Sequence, residues 1–160
     1  MPEEWCRCSI ESARTSLHFH GIANKAAEGW SATLLAEALL AAGDLSGAAS
    51  AAEEAIGLCR RSLRGHNEAE AHGILARALL RRDGAAARDA AESALANAAA
   101  LIERTGAKAF APALCEWRAE LAAVLGDEVT RAQLLRQAQQ GYEEIGAPGH
   151  AERLARERAA

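Results

Sequence analysis

The sequence has very few of the residues that build β-sheets. Only six of its 160 residues are aromatic, and only two are Val and six Ile, whereas 42 are Ala and 19 are Leu. Strands favour β-branched and aromatic side chains, while Ala and Leu lead the scale of helix propensity. The composition therefore predicts an all-α protein whose helices pack closely, because the small alanine side chain lets helix axes approach one another.

Signals for export, membrane insertion and nucleic-acid binding are also missing. The N-terminus carries acids where a signal peptide carries bases, and no apolar run approaches the roughly 18 to 20 residues of a membrane span. The 18 Lys and Arg interleave with 22 Asp and Glu, which leaves no concentrated basic face. Four cysteines are too few for a disulfide framework. We therefore expect a cytoplasmic chain that binds neither membranes nor nucleic acid.

Turn residues divide the chain into segments of helix length. Gly and Asp stand together at Gly43-Asp44, Asp83-Gly84 and Gly126-Asp127. Gly adopts the left-handed conformation that ends a helix, and Asp caps the start of the next one. Together with the apolar spacing, these turns predict helices at 28–42, 45–63, 68–82, 85–104, 109–125, 128–144 and 149–158, with a further helix near 3–18.

Part of this pattern repeats along the chain. The stretch 35–44 aligns with 75–84 at a separation of 40 residues, and a third copy, 118–127, follows about 43 residues later. Alanines at steps of four and three residues come after the first two turns, at Ala48, Ala52, Ala55, Ala87, Ala91 and Ala94. Such stripes let another helix approach closely. The period predicts an α-solenoid of antiparallel helical hairpins with about seven to eight helices, and a compact bundle is the alternative.

At these positions the sequence resembles a tetratricopeptide repeat array. The family pattern is a small residue where the paired helices meet, a Gly-Asp-like turn, and alanines on the second helix. It is present at Ala36, Gly43-Asp44, Ala48 and Ala55, and again at Ala76, Asp83-Gly84, Ala87 and Ala94. The third copy has Ala119 and Gly126-Asp127, but its next alanine is displaced to Ala132, and the family's aromatic positions are mostly Leu or Ala. The repeat period resembles that of the long-helix variant found in large bacterial signalling proteins.

The C-terminal stretch 141–156 is similar to the closing segment of the repeat regions that follow the cyclase and ATPase domains of bacterial adenylate-cyclase-like and transcription-regulator proteins. The resemblance implies an N-terminal helix and connection in 1–24, three hairpins in 25–148 and a capping helix in 149–160. The sequence has no phosphate-binding loop. We therefore expect a non-catalytic interaction or regulatory module of a bacterial signalling protein, without a cofactor, whose partner is a protein, a peptide or an upstream domain of the same polypeptide.

The resemblance also implies a binding face, because the first helix of each hairpin lines the inner side of such arrays. The matching positions are Trp30, Thr33, Glu37 and Leu40, then Glu70, Gly73, Arg77 and Arg81, then Ala113, Glu116, Glu120 and Val124. Of these we expect Trp30, Thr33, Glu37, Glu70, Arg77, Arg81, Glu116 and Glu120 to contact the partner. Trp30 and the two arginines would be its anchors, so reversing both arginine charges should abolish capture and leave the melting temperature unchanged. The alternative is a solvated face without a partner.

A second interpretation places a metal near the N-terminus. Cys6, Cys8, His18 and His20 are the residue types of a Cys₂His₂ zinc site. Residues two apart on a helix point about 200° apart, so a shared metal would need extended backbone at both pairs. We keep a small metal-binding protein or enzyme using this cluster as the alternative function.

The remaining cysteines and histidines are predicted to be structural or solvent-facing. Cys59 and Cys115 have no nearby His with an orienting acid, so we expect both thiols to pack as small apolar groups. His66, His72 and His150 are expected at helix starts or turns, as caps or solvent-facing residues. The apolar residues of the N-terminal segment, namely Trp5, Ile10, Leu17 and Phe19, lack a polar cap, which allows a homodimer through the N-terminal helix.

Overall fold

Helices account for almost all of the described chain. The computed structural model describes residues 9–16, 25–63 and 65–159. Residues 9–16 belong to helix α1, which is followed by α2 (Lys25–Ala42), α3 (Leu45–Arg61), α4 (Gly65–Asp83), α5 (Arg88–Thr105), α6 (Ala111–Val124), α7 (Glu128–Glu144) and α8 (Pro148–Ala159). These ranges contain no strand. The predicted all-α class is confirmed, and the ends of α2 to α8 differ from the predicted ones by at most three residues.

Two of the three Gly and Asp turns, Gly43-Asp44 and Gly126-Asp127, have the predicted chemistry, whereas Asp83 makes no cap hydrogen bond. Gly43 ends α2 with a φ of +82°, and the carboxylate of Asp44 accepts a hydrogen bond of 2.9 Å from the backbone N–H of Gly47. Gly126 has a φ of +74°, and Asp127 accepts hydrogen bonds from both the backbone N–H and the hydroxyl of Thr130. Asp therefore caps α3 and α7, and each Gly supplies the left-handed turn before it.

Two helices begin later than predicted because a short 3₁₀ turn precedes each one. Gly84–Ala87 is a 3₁₀ helix, so α5 begins at Arg88 rather than at 85. No side chain caps this start, and the turn opens with the left-handed Gly84 at a φ of +59°. A second 3₁₀ turn, Lys108–Phe110, precedes α6. Pro112 lies in the first turn of α6, where its missing N–H leaves no helical hydrogen bond unmade.

Alanine lines the contacts between helices. The predicted alanine stripes are all buried: Ala48, Ala52 and Ala55 on α3, Ala87 at the end of the first 3₁₀ turn, and Ala91 and Ala94 on α5. The small residues predicted where paired helices meet, Ala36, Ala76 and Ala119, are buried as well. The Ala-rich composition therefore occupies the helix seams, where a larger side chain would force the helices apart.

The described residues form three larger apolar core clusters along the chain, of which neighbouring ones share a helix, and a smaller cluster between α2, α3 and α4. The first joins α1, α2, α3 and α4, the second joins α4, α5 and α6, and the third joins α6, α7 and α8. Consecutive helices from α2 onward pack together, and α2, α4 and α6 also contact one another in sequence. The seams differ in extent, because α4 packs extensively along both α3 and α5, whereas α6 packs extensively on α7 and far less on α5.

The N-terminal helix packs against the first cluster. Ala13 is buried there, and Ile10 is half-buried against the same cluster. Trp5, Leu17 and Phe19 lie outside the described residues, so a homodimer through this segment stays a prediction. Within the described ranges, every helix is too short or too polar to cross a membrane.

Candidate functional site

A cleft of about 680 Å³ runs across the face formed by α2, α4 and α6 and is closed at one side by α7 and α8. We call it the charged cleft. Its charged and polar lining comprises Glu37, Glu70, Arg77, Arg81, Glu116, Glu120, Arg131, Tyr142, His150, Arg153 and Glu157. Its apolar floor contains Ile74, Trp117 and Leu135, with Ala113, Ala119 and Ala123 between them. The volume lies in the range of sites that hold a ligand or an anchor side chain.

Six of the eight residues predicted to contact a partner line this cleft. They are Glu37, Glu70, Arg77, Arg81, Glu116 and Glu120. These positions belong to three different helices, and the two most distant ones, Glu37 and Glu120, are 83 residues apart in sequence. Ala113, from the wider set of matched positions, lines the cleft as well.

The other two predicted residues lie elsewhere on α2. Thr33 is 1% exposed, and its hydroxyl donates a 2.8 Å hydrogen bond to the carbonyl of Gly29, so it packs in the core and does not belong to an exposed face. Trp30 is 47% exposed and does not line the cleft. It precedes Glu37 by seven residues, two helical turns, and therefore lies on the same side of α2, beyond the edge of the cleft.

A chain of ion pairs crosses the cleft from α2 to α6. The guanidinium of Arg77 lies 2.8 Å from Glu120 Oε2 and 3.4 Å from Glu37 Oε1. Arg81 donates a second set of hydrogen bonds to Glu120, from Nε at 2.7 Å and from Nη2. Each of the three helices thus contributes a charge. Both arginines that were predicted as partner anchors are already paired within the chain.

Burial alone would lower the pKa of the Arg77 guanidinium. The carboxylates of Glu120 and Glu37 outweigh that effect through their charge and their hydrogen bonds, and they hold the pKa of Arg77 above its ordinary value. Arg77 therefore stays charged, and its ion pairs with Glu37 and Glu120 connect α4 to α2 and to α6.

A second polar cluster closes the other side of the cleft. Glu116 on α6 accepts a 2.6 Å hydrogen bond from the hydroxyl of Tyr142 and a 2.7 Å hydrogen bond from Arg153. The imidazole of His150 stacks on Tyr142 with the ring centroids 4.7 Å apart. Burial, and then the hydrogen bond to Glu116, raises the pKa of Tyr142 far above its usual range. The phenol therefore stays protonated and acts as a hydrogen-bond donor.

Glu70 differs from every other acid in the cleft. Its side chain is half-buried, and among the described residues it makes neither a hydrogen bond nor an ion pair. Burial, together with the negative charge of Glu37, raises the pKa of its carboxyl above the usual range. The cleft therefore contains one carboxylate that none of the described residues pairs with a cation.

A second cavity lies on the opposite side of α6. This apolar groove of about 430 Å³ runs between α5 and α7 along the sparsely packed α5–α6 seam. Its apolar lining is Leu95, Ala96, Leu121, Ala122, Leu125 and Leu134. Its polar lining comprises Glu92, which pairs with Arg88, Asp127 and Thr130, which hydrogen-bond each other at the start of α7, and Arg118, which has no ion pair among the described residues.

Neither of the two described cysteines, Cys59 and Cys115, has the surroundings of a reactive nucleophile. Cys59 is fully buried, and burial raises the pKa of the half-buried Cys115 thiol, which disfavours the reactive thiolate. His66 and His150 are exposed, as expected. The expectation for His72 is wrong, because this residue is 6% exposed and neither ring nitrogen has a hydrogen-bond partner among the described residues. It is buried because α4 is covered by α3 on one side and by α5 on the other.

Cys6, Cys8, His18 and His20, the residues of the alternative zinc site, lie outside the described residues. Within the described ranges, no group of three or more His, Cys, Asp or Glu side chains is arranged to hold a metal ion.

The part of the cleft that α7 and α8 supply was not predicted from the sequence. Tyr142, His150, Arg153 and the floor residue Trp117 were not predicted as site residues. The available signal was composition, since Tyr142 is the one tyrosine of the chain and sits in the C-terminal stretch that the resemblance singled out. Its pairing with Glu116 depends on how α7 and α8 fold back on α6, which no local pattern encodes.

Searches against protein-family models, curated proteins and solved structures find no match for this chain. The resemblance to tetratricopeptide repeats therefore stays a prediction from the sequence. What the charged cleft does must be argued from its own geometry.

Proposed function

We propose that this chain is a non-catalytic protein-interaction module of the tetratricopeptide type, acting in the cytoplasm as part of a bacterial signalling system. Its partner segment, from another protein or from a further domain of the same polypeptide, binds in the charged cleft. The observation that carries the proposal is the convergence of α2, α4 and α6 on one cleft with a charged rim and an apolar floor.

Three features support a binding role rather than a catalytic one. The floor offers the half-buried Ala113 and the exposed Ala123 to apolar side chains of a partner, while Ile74 and Trp117 are buried. The rim carries both signs of charge, which favours orientation and specificity. The polar groups of the cleft lack an activated nucleophile with a partnering base among the described residues.

The proposed repeat architecture is supported by the packing pattern. The first helices of the hairpins, α2, α4 and α6, contact one another, and each core cluster shares a helix with the next. In helical repeat proteins such stacking buries a face that one hairpin cannot bury alone and leaves an extended surface for binding. Trp30, on the same side of α2 as Glu37, extends that surface beyond the cleft as an exposed aromatic.

Selection of peptides on the purified chain tests the proposal. Random twelve-residue peptides would be displayed on phage, selected on the immobilised protein, synthesised, and measured by fluorescence anisotropy. Ala123→Arg fills the cleft at an exposed alanine of α6, and Ala100→Arg makes the same change at an exposed position of α5 outside it. We expect Ala123→Arg to weaken binding at least tenfold and Ala100→Arg to have no effect, with unchanged helical circular dichroism in both.

Equal binding to both variants would place the peptide outside the cleft and contradict the proposal. Failure to enrich any peptide that distinguishes Ala123→Arg from the parent chain would contradict it as well. Because both positions are exposed and helical, the comparison separates occupancy of the cleft from a general effect of an added arginine.

A further inference from the structure

The arginines that line the charged cleft are all paired within the chain. Arg77 and Arg81 bind Glu120, Arg153 binds Glu116 and Glu157, and Arg131 binds Glu128. A guanidinium already held by a carboxylate has little to offer an incoming acid, because capture would cost the existing pair. We therefore do not expect these four arginines to bind an acidic partner.

Unlike the arginines, the acids of the cleft are not all paired. Four of the five carboxylates on its wall have an arginine partner, and Glu70 alone has none among the described residues. Glu70 is half-buried, and Glu37, the nearest acid acting on it, adds a like charge. A carboxylate in this position has lost part of its hydration and gained repulsion, so a cation placed beside it relieves both costs.

The floor next to Glu70 defines what should accompany that cation. Ile74 follows Glu70 by one turn of α4 and lines the cleft, and Trp117, which also lines it, packs against the neighbouring Gly73. Lys and Arg carry a long aliphatic stem below the charged group. A basic side chain that enters the cleft can therefore pack its stem against the apolar lining while its charged end reaches Glu70.

We propose that the partner segment carries a lysine or arginine that pairs with Glu70 at the α2–α4 side of the charged cleft. This inference rests on the proposed function, because it names the chemistry of the occupant of the same cleft. It assigns to Glu70 the role of specificity residue, while Arg77 and Arg81, the anchors predicted from the sequence, keep the helices together.

A double-mutant cycle on the selected peptides tests this proposal. We expect lysine or arginine to be enriched at one position of the peptides, and replacement of that residue by glutamine to weaken binding to the parent chain about tenfold. Glu70→Gln should weaken binding of the basic peptide by a similar factor, and the same peptide replacement should then have little further effect. Glu54→Gln, at an exposed position of α3 outside the cleft, is the matched control and should bind as the parent does.

Charge reversal gives an independent readout. Glu70→Lys should lose the basic peptide and gain a peptide in which the basic residue is replaced by glutamate. Peptides that bind in the cleft, as shown by sensitivity to Ala123→Arg, but have no basic preference and no dependence on Glu70 would overturn this inference and leave the proposed function standing. If no peptide binds in an Ala123→Arg-sensitive manner, both proposals fail.

Discussion

The backbone of Gly73 lies directly against the indole ring of Trp117. A Cβ atom built on Gly73 would stand 2.5 Å from Cε3 of Trp117, a distance that real Cβ contacts do not show. The two residues belong to α4 and α6, and Trp117 is 7% exposed on the floor of the charged cleft. The missing side chain of Gly73 therefore sets both the α4–α6 spacing and the depth of the cleft.

Gly73→Ala should destabilise the protein even though Ala favours helix. The added methyl must displace the Trp117 ring or separate α4 from α6, and such overpacking costs about 1–3 kcal/mol. Urea unfolding followed by circular dichroism measures the change, and the displaced ring should also alter Trp117 fluorescence.

Gly57→Ala is the matched control for this substitution. Gly57 lies within α3, and a Cβ there meets only Arg61 Nη1 at 3.5 Å, the end of a flexible side chain. The change should stabilise the protein by about 0.4–1 kcal/mol, because Ala in a helix costs less conformational entropy. Equal effects of the two substitutions would contradict the close packing of Gly73 on Trp117.

Loss of the Glu120 charge should weaken the fold in a salt-dependent way. Glu120→Gln leaves Arg77 and Arg81 without their shared carboxylate, and we expect a loss of about 1 kcal/mol at low ionic strength for these partly exposed pairs. The loss should be smaller in about 1 M NaCl, where the Debye length is only roughly 3 Å and charges are strongly screened. Glu92→Gln, which breaks an exposed pair with Arg88 on α5, should change the stability less than Glu120→Gln does.

The same ion pairs change what is expected from reversing both arginine charges. Arg77→Glu with Arg81→Glu would place two new carboxylates beside Glu120 and Glu37. Repulsion should then lower the melting temperature, in contrast to the unchanged value expected from the sequence. Differential scanning calorimetry of the double variant measures this, and an unaltered transition would show that the pairs contribute nothing to stability.

His72 should make the protein less stable in mild acid. Burial, only partly offset by Glu68, lowers its pKa below the ordinary value of 6.5, and Arg60 lowers it further. Above pH 6.5 the ring is neutral whether the chain is folded or unfolded. As the pH falls below 6.5, the unfolded chain binds a proton that the folded chain refuses, so the free energy of unfolding decreases by up to about 1.4 kcal/mol per pH unit.

Urea titrations at pH 7.5 and 5.5 test this dependence on His72. His72→Leu should reduce the difference in unfolding free energy between the two pH values by roughly 1 kcal/mol. His66→Leu changes an exposed histidine one turn and a half earlier and should leave the difference nearly as in the parent. An identical pH profile for His72→Leu and the parent chain would show that His72 is protonated equally in both states.

Leu63 should tolerate glycine with a gain in stability. Leu63 is the one described non-glycine residue with a positive φ, at 56°, and its side chain is 92% exposed. The left-handed conformation costs an L-residue about 1–2 kcal/mol, and glycine avoids that cost at the expense of about 0.5–1 kcal/mol of chain entropy. We expect Leu63→Gly to raise the free energy of unfolding by about 0.5 kcal/mol.

The comparison for this change is Leu125→Gly. Leu125 has a φ of −84°, so glycine relieves no strain there and should lower stability. A decrease for both substitutions in urea unfolding would argue against strain at Leu63.

The fold could be predicted to the extent that its determinants are local. Gly43-Asp44 and Gly126-Asp127 specify a left-handed turn and an N-cap within a few residues, so the ends of the flanking helices were predicted closely. The starts of α5 and α6 were predicted too early, because 3₁₀ turns differ from α-helix by hydrogen-bond register rather than by composition.

The candidate site was predictable only where helix periodicity decides which side chains share a face. Glu70, Arg77 and Arg81 follow that rule and line the cleft together. Thr33 did not, because its hydroxyl bonds the carbonyl of Gly29 on its own helix and can therefore be buried without a penalty. Tyr142 and Arg153 reach Glu116 through tertiary packing, which the sequence pattern does not encode.

The uneven packing of α6 has a mechanical consequence. On the cleft side, Gly73 on Trp117 and Arg77 on Glu120 fasten α4 to α6, whereas on the opposite side the α5–α6 seam opens into the apolar groove. The helices α2–α5 and the helices α6–α8 are therefore joined through two small contacts of α6, with α4 beside the cleft and with α5 beside the groove. A segment bound from Glu70 to Tyr142 would cross the contact between α4 and α6, so its affinity should depend on the angle between these two groups of helices.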